Sequence, residues 1–216
     1  MLTQLRRAAV MVIICLVLFG LAYPLLGVGL SQLFFHGQAN GSITANGAAS
    51  NLIGQDWSQT KCPGHLLGSC VFQGRPDNLG PYSDVGKYKG DNPAEHPGDD
   101  PLVANGAAGE SGATNLGPRS KELVTYTKIL IKYWQARGVS PTSDLVTTSG
   151  SGLDPDITPQ DATAEIPMVT RATGISHAQL QSLINQNTQG RELGFLGSPT
   201  VNVLQLNEGL AKLEHR

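Results

Sequence analysis

Between Arg7 and Asp56 the chain carries no charged residue. The first part of that interval, residues 8–30, is apolar or small throughout (AAVMVIICLVLFGLAYPLLGVGL). With no polar face, it is excluded as an ordinary buried helix of a soluble domain. The whole chain is also short of net charge. Fifteen Lys and Arg stand against 17 Asp and Glu, which excludes a broad basic surface for nucleic acid.

The familiar reaction signatures are missing as well. The glycine-rich stretch SGSGLDPDITP, Ser149 to Pro159, has no lysine and is not a P-loop. It fails the nucleophile-elbow pattern G-x-S-x-G, because Ser149 stands two residues before Ser151. A tight turn leading into a capped helix explains it without a ligand. The histidines, His36, His65, His96, His177 and His215, are scattered, with no H-x-x-x-H spacing and no Ser/His/Asp set. Asp91, Glu95, Asp99 and Asp100 are not spaced as an EF-hand loop, and a solvated loop accounts for them. No catalytic residue and no metal site is assigned, and the chain is not read as an autonomous enzyme.

Cysteine is scarce. Cys15 lies in the apolar run, which leaves Cys62 and Cys70 around KCPGHLLGSC. Pro63-Gly64 and Gly68 can fold this segment back, and in an oxidising compartment the pair can close a disulfide. Two free thiols are the alternative. A metal site would have only His65 as a third ligand and no fourth.

The apolar run itself is long enough to matter. At about 1.5 Å per residue, a helix over residues 8–30 covers roughly 34 Å, enough to cross a bilayer core. Arg6 and Arg7 are the basic residues beside it, so the positive-inside rule places residues 1–7 in the cytoplasm and the remainder outside. A cleaved signal peptide also starts basic and apolar, but this run is too long for one and no A-x-A site closes it promptly. Gly20, Gly27 and Gly29 are small enough to permit close packing of the helix in a membrane.

Residues 31–49 read as a tether and residues 50–216 as one extracytoplasmic α+β domain with long irregular loops; 26 glycines and 13 prolines demand many turns. Residues 50–58 and 70–73 are short apolar pieces that could be strands. Residues 74–120 show no period, and such a long loop is either functional, ordered by a partner, or disordered. Beyond it, Leu123, Tyr126, Leu130, Ile131 and Trp134 predict a helix over 121–137 with Gly138 as its stop. Residues 144–148 read as a short buried strand.

Thr158 and Pro159 predict an N-cap and first helical residue, with a kink or restart at Pro167 before Gly174. Ser176 and Gln179 form a capping-box pattern, with Ile175 and Leu180 at the staple positions. Leu180, Leu183 and Ile184 give that helix its core stripe. A strand over 201–204 and a final helix carrying Leu206, Leu210 and Leu213 complete the reading. The alternative reading is a membrane-anchored extracytoplasmic binding module unconnected to transport, with the long loop as its ligand surface.

Several segments reach further. In order, SNLIGQ at 50–55, FQGRP at 72–76, SGATNLGP at 111–118, DLVTTSGSGLDPDITP at 144–159 and RELGFLGSPTVNVLQLN at 191–207 stand behind one N-terminal membrane helix. Together they closely resemble the C-subunit family of bacterial Kdp potassium-transporting P-type ATPases, nearly end to end. Asp156 departs from the family, which often carries histidine there. The Cys62–Cys70 loop and the acidic stretch near Asp91 look like local elaborations.

The resemblance implies an accessory subunit of a complex that imports potassium when it is scarce outside. Its implied partners are a channel-like subunit that selects K⁺ and a catalytic P-type subunit that hydrolyses ATP. The family is described as a catalytic chaperone that raises the ATP affinity of the catalytic subunit. That makes Ser149, Gly150, Ser151, Gly152 and Asp154 the candidate nucleotide-facing residues. The charge rule puts them on the opposite side of the membrane from cytosolic ATP, so any effect on ATP affinity would be allosteric. ATP and K⁺ are therefore read as ligands of the complex.

Overall fold

The computed structural model of the chain describes residues 1–44, 49–55, 57, 58, 60–76, 111 and 113–214. The acidic cluster from Asp91 to Asp100, most of the 74–120 stretch and His215 lie outside the described residues. The chain divides into two compact units, Met1–Ser50 and Asn51–Arg216.

In the first unit one long helix spans Leu2–Phe34. It comprises α1 (Leu2–Val17), a π turn (Leu18–Ala22) and α2 (Tyr23–Phe34). The π turn has a local cause. Pro24 has no N–H and its ring crowds the carbonyl of Gly20, four residues back, and widening the preceding turn relieves both problems. The side chains of this helix are exposed along its length, including Ile13, Leu16, Phe19 and Leu26. By length and composition this helix is long and apolar enough to cross a bilayer.

The tether reading changes in detail. A further helical turn, α3 (His36–Ala39), follows directly. Asn40 donates to the His36 carbonyl and to Gln32 Oε1, and Ile43 bridges Ser50. Short polar side chains here satisfy the backbone locally, so the described part of the segment is folded back on the helix end.

The second unit is α+β. Its sheet is small and antiparallel, in the order β1 (Asp156–Ile157), β3 (Thr200–Asn202), β2 (Thr188–Gln189). Asp156 pairs with Asn202, and Thr188 with Val201. Helices α5 (Pro159–Thr173), α6 (His177–Asn187) and α7 (Val203–Glu214) pack on its central strand, and α4 (Lys121–Ala136) joins them in the core. The core joins Tyr126, Leu130 and Trp134 of α4 to Ile166 and Val169 of α5, Leu180 and Ile184 of α6, and Leu206 and Leu210 of α7.

Local signals held where a hydrogen bond could be written from neighbouring residues. Thr158 Oγ1 accepts from the Asp161 N–H to cap α5. Ser176 and Gln179 make the full capping box on α6, and Gly174 ends α5 in the left-handed conformation.

Five expectations are corrected. Residues 144–146 form a 3₁₀ turn, not a strand, because Leu145 is buried there and its carbonyl accepts from the Trp134 indole at 2.7 Å. The helix through Pro167 runs unbroken to Thr173; Pro167 is exposed, so water can meet the carbonyl it leaves unpaired. Val203 and Leu204 open α7 instead of extending β3. In α4, Ile129 and Tyr133 are buried while Leu123 and Ile131 are only partly so, a rotation of the stripe by a fraction of a turn. Among the described residues, 50–58 and 70–73 form no strand of the sheet.

Candidate functional site

Residues 149–154 form a surface loop between the 3₁₀ turn and β1. Gly150 and Ser151 are exposed, and Gly152 is buried with φ +69°. The loop closes on itself through its serines. Gly152 N–H donates to Ser149 Oγ at 2.9 Å, Leu153 N–H donates to Ser151 Oγ at 3.1 Å, and the two hydroxyls lie 3.1 Å apart. Asp154 Oδ1 accepts from the Asp156 N–H. A phosphate cradle works by aiming free backbone N–H groups outward. Here the N–H groups of residues 152, 153 and 156 are already bonded within the loop.

The remaining contacts tie the loop to the start of the domain. Gly54 N–H donates to the Leu153 carbonyl at 2.8 Å, and a Cβ at Gly54 would stand 2.9 Å from the Asp154 carbonyl oxygen. Ser111 donates to the Ser151 carbonyl. Asn202, on the central strand, donates to the Asn51 carbonyl and to Asp156 Oδ1.

Arg75 is the hub. Its guanidinium lies 3.6 Å from both Asp144 and Asp154. It also donates to the carbonyls of Thr147 and Thr148 at 3.2–3.4 Å. One half-buried cation thus holds both ends of the segment that contains Ser149 to Asp154. Burial raises the pKa of Asp156; the Asn202 hydrogen bond opposes that rise, and the Asp154 charge adds to it.

A second constellation is built around the Cys62–Cys70 segment. A disulfide links the two residues. Gly68 sits at φ +72°, with the backbone of Ser58 less than 3 Å from where a Cβ would be. The strand-like piece that follows is clamped from below. Phe72 exchanges two hydrogen bonds with Asn207, and Gln73 N–H donates to Glu165 Oε2 at 2.9 Å. Glu165 is fully buried and its other oxygen has no partner among the described residues. Burial pushes its pKa well above the ordinary carboxylate range; the Gln73 N–H opposes this, and Asp161 adds to it.

The segment Arg191–Pro199 is exposed from end to end. Glu192 bridges Leu196, and Leu193 takes a left-handed φ of 52° beside Gly194 and Gly197. The tip therefore presents Leu193, Phe195 and Leu196 to the outside. On the membrane helix, Cβ atoms at Gly20, Gly27 and Gly29 would meet nothing within 4 Å. Gly27 and Gly29 are two residues apart, about 200° around a helix, so one packing surface cannot use both.

Sequence reasoning passed over Arg75, Glu165, Asn202 and Asn207. The position of Arg75 inside FQGRP, one of few charged residues in its neighbourhood, was a usable signal. The buried amides and the buried carboxyl were not, since their partners lie far away in the chain. Among the described residues no group of three or more His, Cys, Asp or Glu could hold a metal ion, and no histidine bonds to Ser149 or Ser151.

The family model for the "K+-transporting ATPase, c chain" matches residues 5–212. A potassium-transporting ATPase KdpC subunit of Koribacter versatilis is 38% identical over 209 residues, covering 94% of this chain and 92% of that protein. The KdpC subunit of Gloeobacter violaceus is 37% identical over 213 residues, with 96% and 93% covered. That of Methylorubrum extorquens is 36% identical over 223 residues, with both chains covered completely.

Proposed function

The chain belongs to the KdpC family, the C chain of K⁺-transporting ATPases, and from that premise we propose that it is a non-catalytic subunit acting by contact. It supports assembly and activity of a potassium import complex, beside a channel-like K⁺-selecting subunit and a catalytic P-type subunit. The single helix Leu2–Phe34 anchors it in the plasma membrane. Residues 1–7 face the cytoplasm and residues 51–216 face outside. There the domain caps the extracellular mouth of the channel-like subunit, with the exposed Leu193, Phe195 and Leu196 offered as contact surface.

The observation that carries this reading is the pairing of Arg6 and Arg7 with one end of an otherwise uncharged helix. A domain held outside cannot touch cytosolic ATP. Any rise in the ATP affinity of the catalytic subunit is then a coupling free energy passed through the complex. The Gly152 and Leu153 N–H groups support the same view, since both are bonded to serine hydroxyls within the loop instead of being free to cradle a phosphate.

Protease protection in sealed vesicles tests the orientation. In right-side-out vesicles, added protease should digest the domain after Phe34, and in inverted vesicles it should spare it. Digestion only from the cytoplasmic side would overturn the reading. Truncation after about residue 35 of the anchored chain, near the end of a bilayer-length helix, should abolish growth on low potassium. Normal growth would remove any role for the outer domain.

A further inference from the structure

At the C-terminal ends of α4 and α5 a cleft of about 320 Å³ opens against the disulfide loop, lined by His65, Leu66, Arg137, Met168 and Arg171 among others. Two arginines line one small space. Arg137 lies over the Tyr133 ring, 3.5 Å from its centre, which sets the plane of the guanidinium. Its hydrogen bond to the Tyr133 carbonyl is long, at 3.5 Å. Arg171 reaches the Arg137 carbonyl, also at 3.5 Å. Neither pairs with a carboxylate among the described residues, where both ion pairs belong to Arg75.

The fold makes room for this arrangement. Gly138 ends α4 at φ +72°, and a Cβ there would stand 2.9 Å from an Arg171 terminal nitrogen. The facing wall is the loop closed by Cys62–Cys70, and buried Met168 supplies an apolar floor. Helix C-termini favour a nearby cation. Here both guanidinium groups reach carbonyls at the end of α4, and the two like charges repel where they line one cleft. A multi-oxygen anion between them removes the repulsion and fills two guanidinium forks.

We propose that the Arg137–Arg171 cleft binds a phosphate oxyanion. Two sources share that chemistry: inorganic phosphate, and the headgroup of an anionic phospholipid from the membrane in which the chain is anchored. The site stands apart from the transport reading, and its test does not use transport.

The full-length chain in neutral detergent micelles is titrated while the Nε–Hε NMR signals of Arg137 and Arg171 are followed. One arm adds inorganic phosphate, a second adds short-chain phosphatidylglycerol, and chloride at matched ionic strength is the control. Saturable shifts of both signals with phosphate identify the free anion. Saturation with phosphatidylglycerol alone identifies the lipid headgroup. Either supports the site, and a response no different from chloride in both arms overturns it. Arg171→Gln, at an exposed position, should weaken binding about tenfold, the scale of one lost charge-assisted contact, with the rest of the spectrum unchanged. Arg137→Lys keeps the charge but loses the fork and should also bind more weakly. Unchanged affinity in Arg171→Gln overturns the proposal.

Discussion

Asn207 and Phe72 exchange a pair of hydrogen bonds across 135 residues of chain: the Asn207 amide donates to the Phe72 carbonyl at 2.8 Å, and its side-chain oxygen accepts the Phe72 N–H at 2.9 Å. Both residues are buried. A side-chain amide has one donor face and one acceptor face, and here it completes the backbone of a segment that no strand pairs. The last helix thereby holds the stretch between the disulfide loop and Arg75.

Asn207→Ala leaves both backbone groups of Phe72 without partners in a dry environment. At about 1–3 kcal/mol for each buried unsatisfied group, the variant should lose roughly 2–6 kcal/mol. Chemical denaturation of the full chain in detergent measures it. A loss under about 0.5 kcal/mol, the range of neutral surface changes, would show that the pair adds nothing beyond geometry.

Glu165 makes stability depend on pH with a definite sign. Its folded pKa is raised by burial, so the folded chain holds this proton more tightly than the unfolded chain. Stability is therefore greatest below the ordinary glutamate range, falls as pH rises through the folded pKa, and is flat beyond it. Glu165→Gln mimics the protonated acid and keeps an acceptor for the Gln73 N–H. Its denaturation midpoint should not show that fall, and it should exceed the parent's at the alkaline end. Parallel pH profiles for the two proteins would refute the assignment.

Arg75→Gln removes the cation between Asp144 and Asp154. Because the ion pairs are partly exposed and long, their share is discounted; the carbonyl contacts bring the expected loss to about 1–2 kcal/mol. The more telling readout is local. Amide exchange at Gly152, Leu153 and Asp156 should speed up while that of the α5 and α6 cores stays put. Uniform acceleration would mean that Arg75 supports the whole domain and not the loop.

Opening the Cys62–Cys70 disulfide removes a short covalent loop, worth about 2–3 kcal/mol in the chain-entropy account. Cys62→Ser/Cys70→Ser should lower the thermal midpoint, and reductant should lower it for the parent but not for the variant. Two alkylatable thiols in the native parent, in addition to Cys15, would end the disulfide assignment.

How far the residues themselves reached follows the range of the interactions. The capping box at Ser176 and Gln179, the Thr158–Pro159 start and the Gly174 stop were legible because each is completed within a few residues. The DLVTT stretch was misread because a short run of apolar and β-branched residues suits a strand and a buried turn equally. What decided it was the indole of Trp134 reaching the Leu145 carbonyl. The boundary at Val203 was set locally, by Asn202, whose side-chain oxygen accepts the Gln205 N–H and caps α7.

The candidate site divides in the same way. The glycine and serine content of residues 149–152 predicted a tight turn. Which way its N–H groups point became visible only with the serine hydroxyls in place and Arg75 behind them.

Charge and apolar length along the chain were enough to determine a helix of bilayer length and its cationic end, and local residue order was enough for the helix caps and, through the motif segments, the family, because each is a property of neighbouring residues or of their order. Tertiary structure alone decided that Arg75 binds Asp144 and Asp154, that Glu165 and Asn207 hold residues 72 and 73, and that Arg137 and Arg171 share a cleft. Those contacts join residues whose separation in the chain carries no signal, and burial away from water is what makes them strong enough to matter.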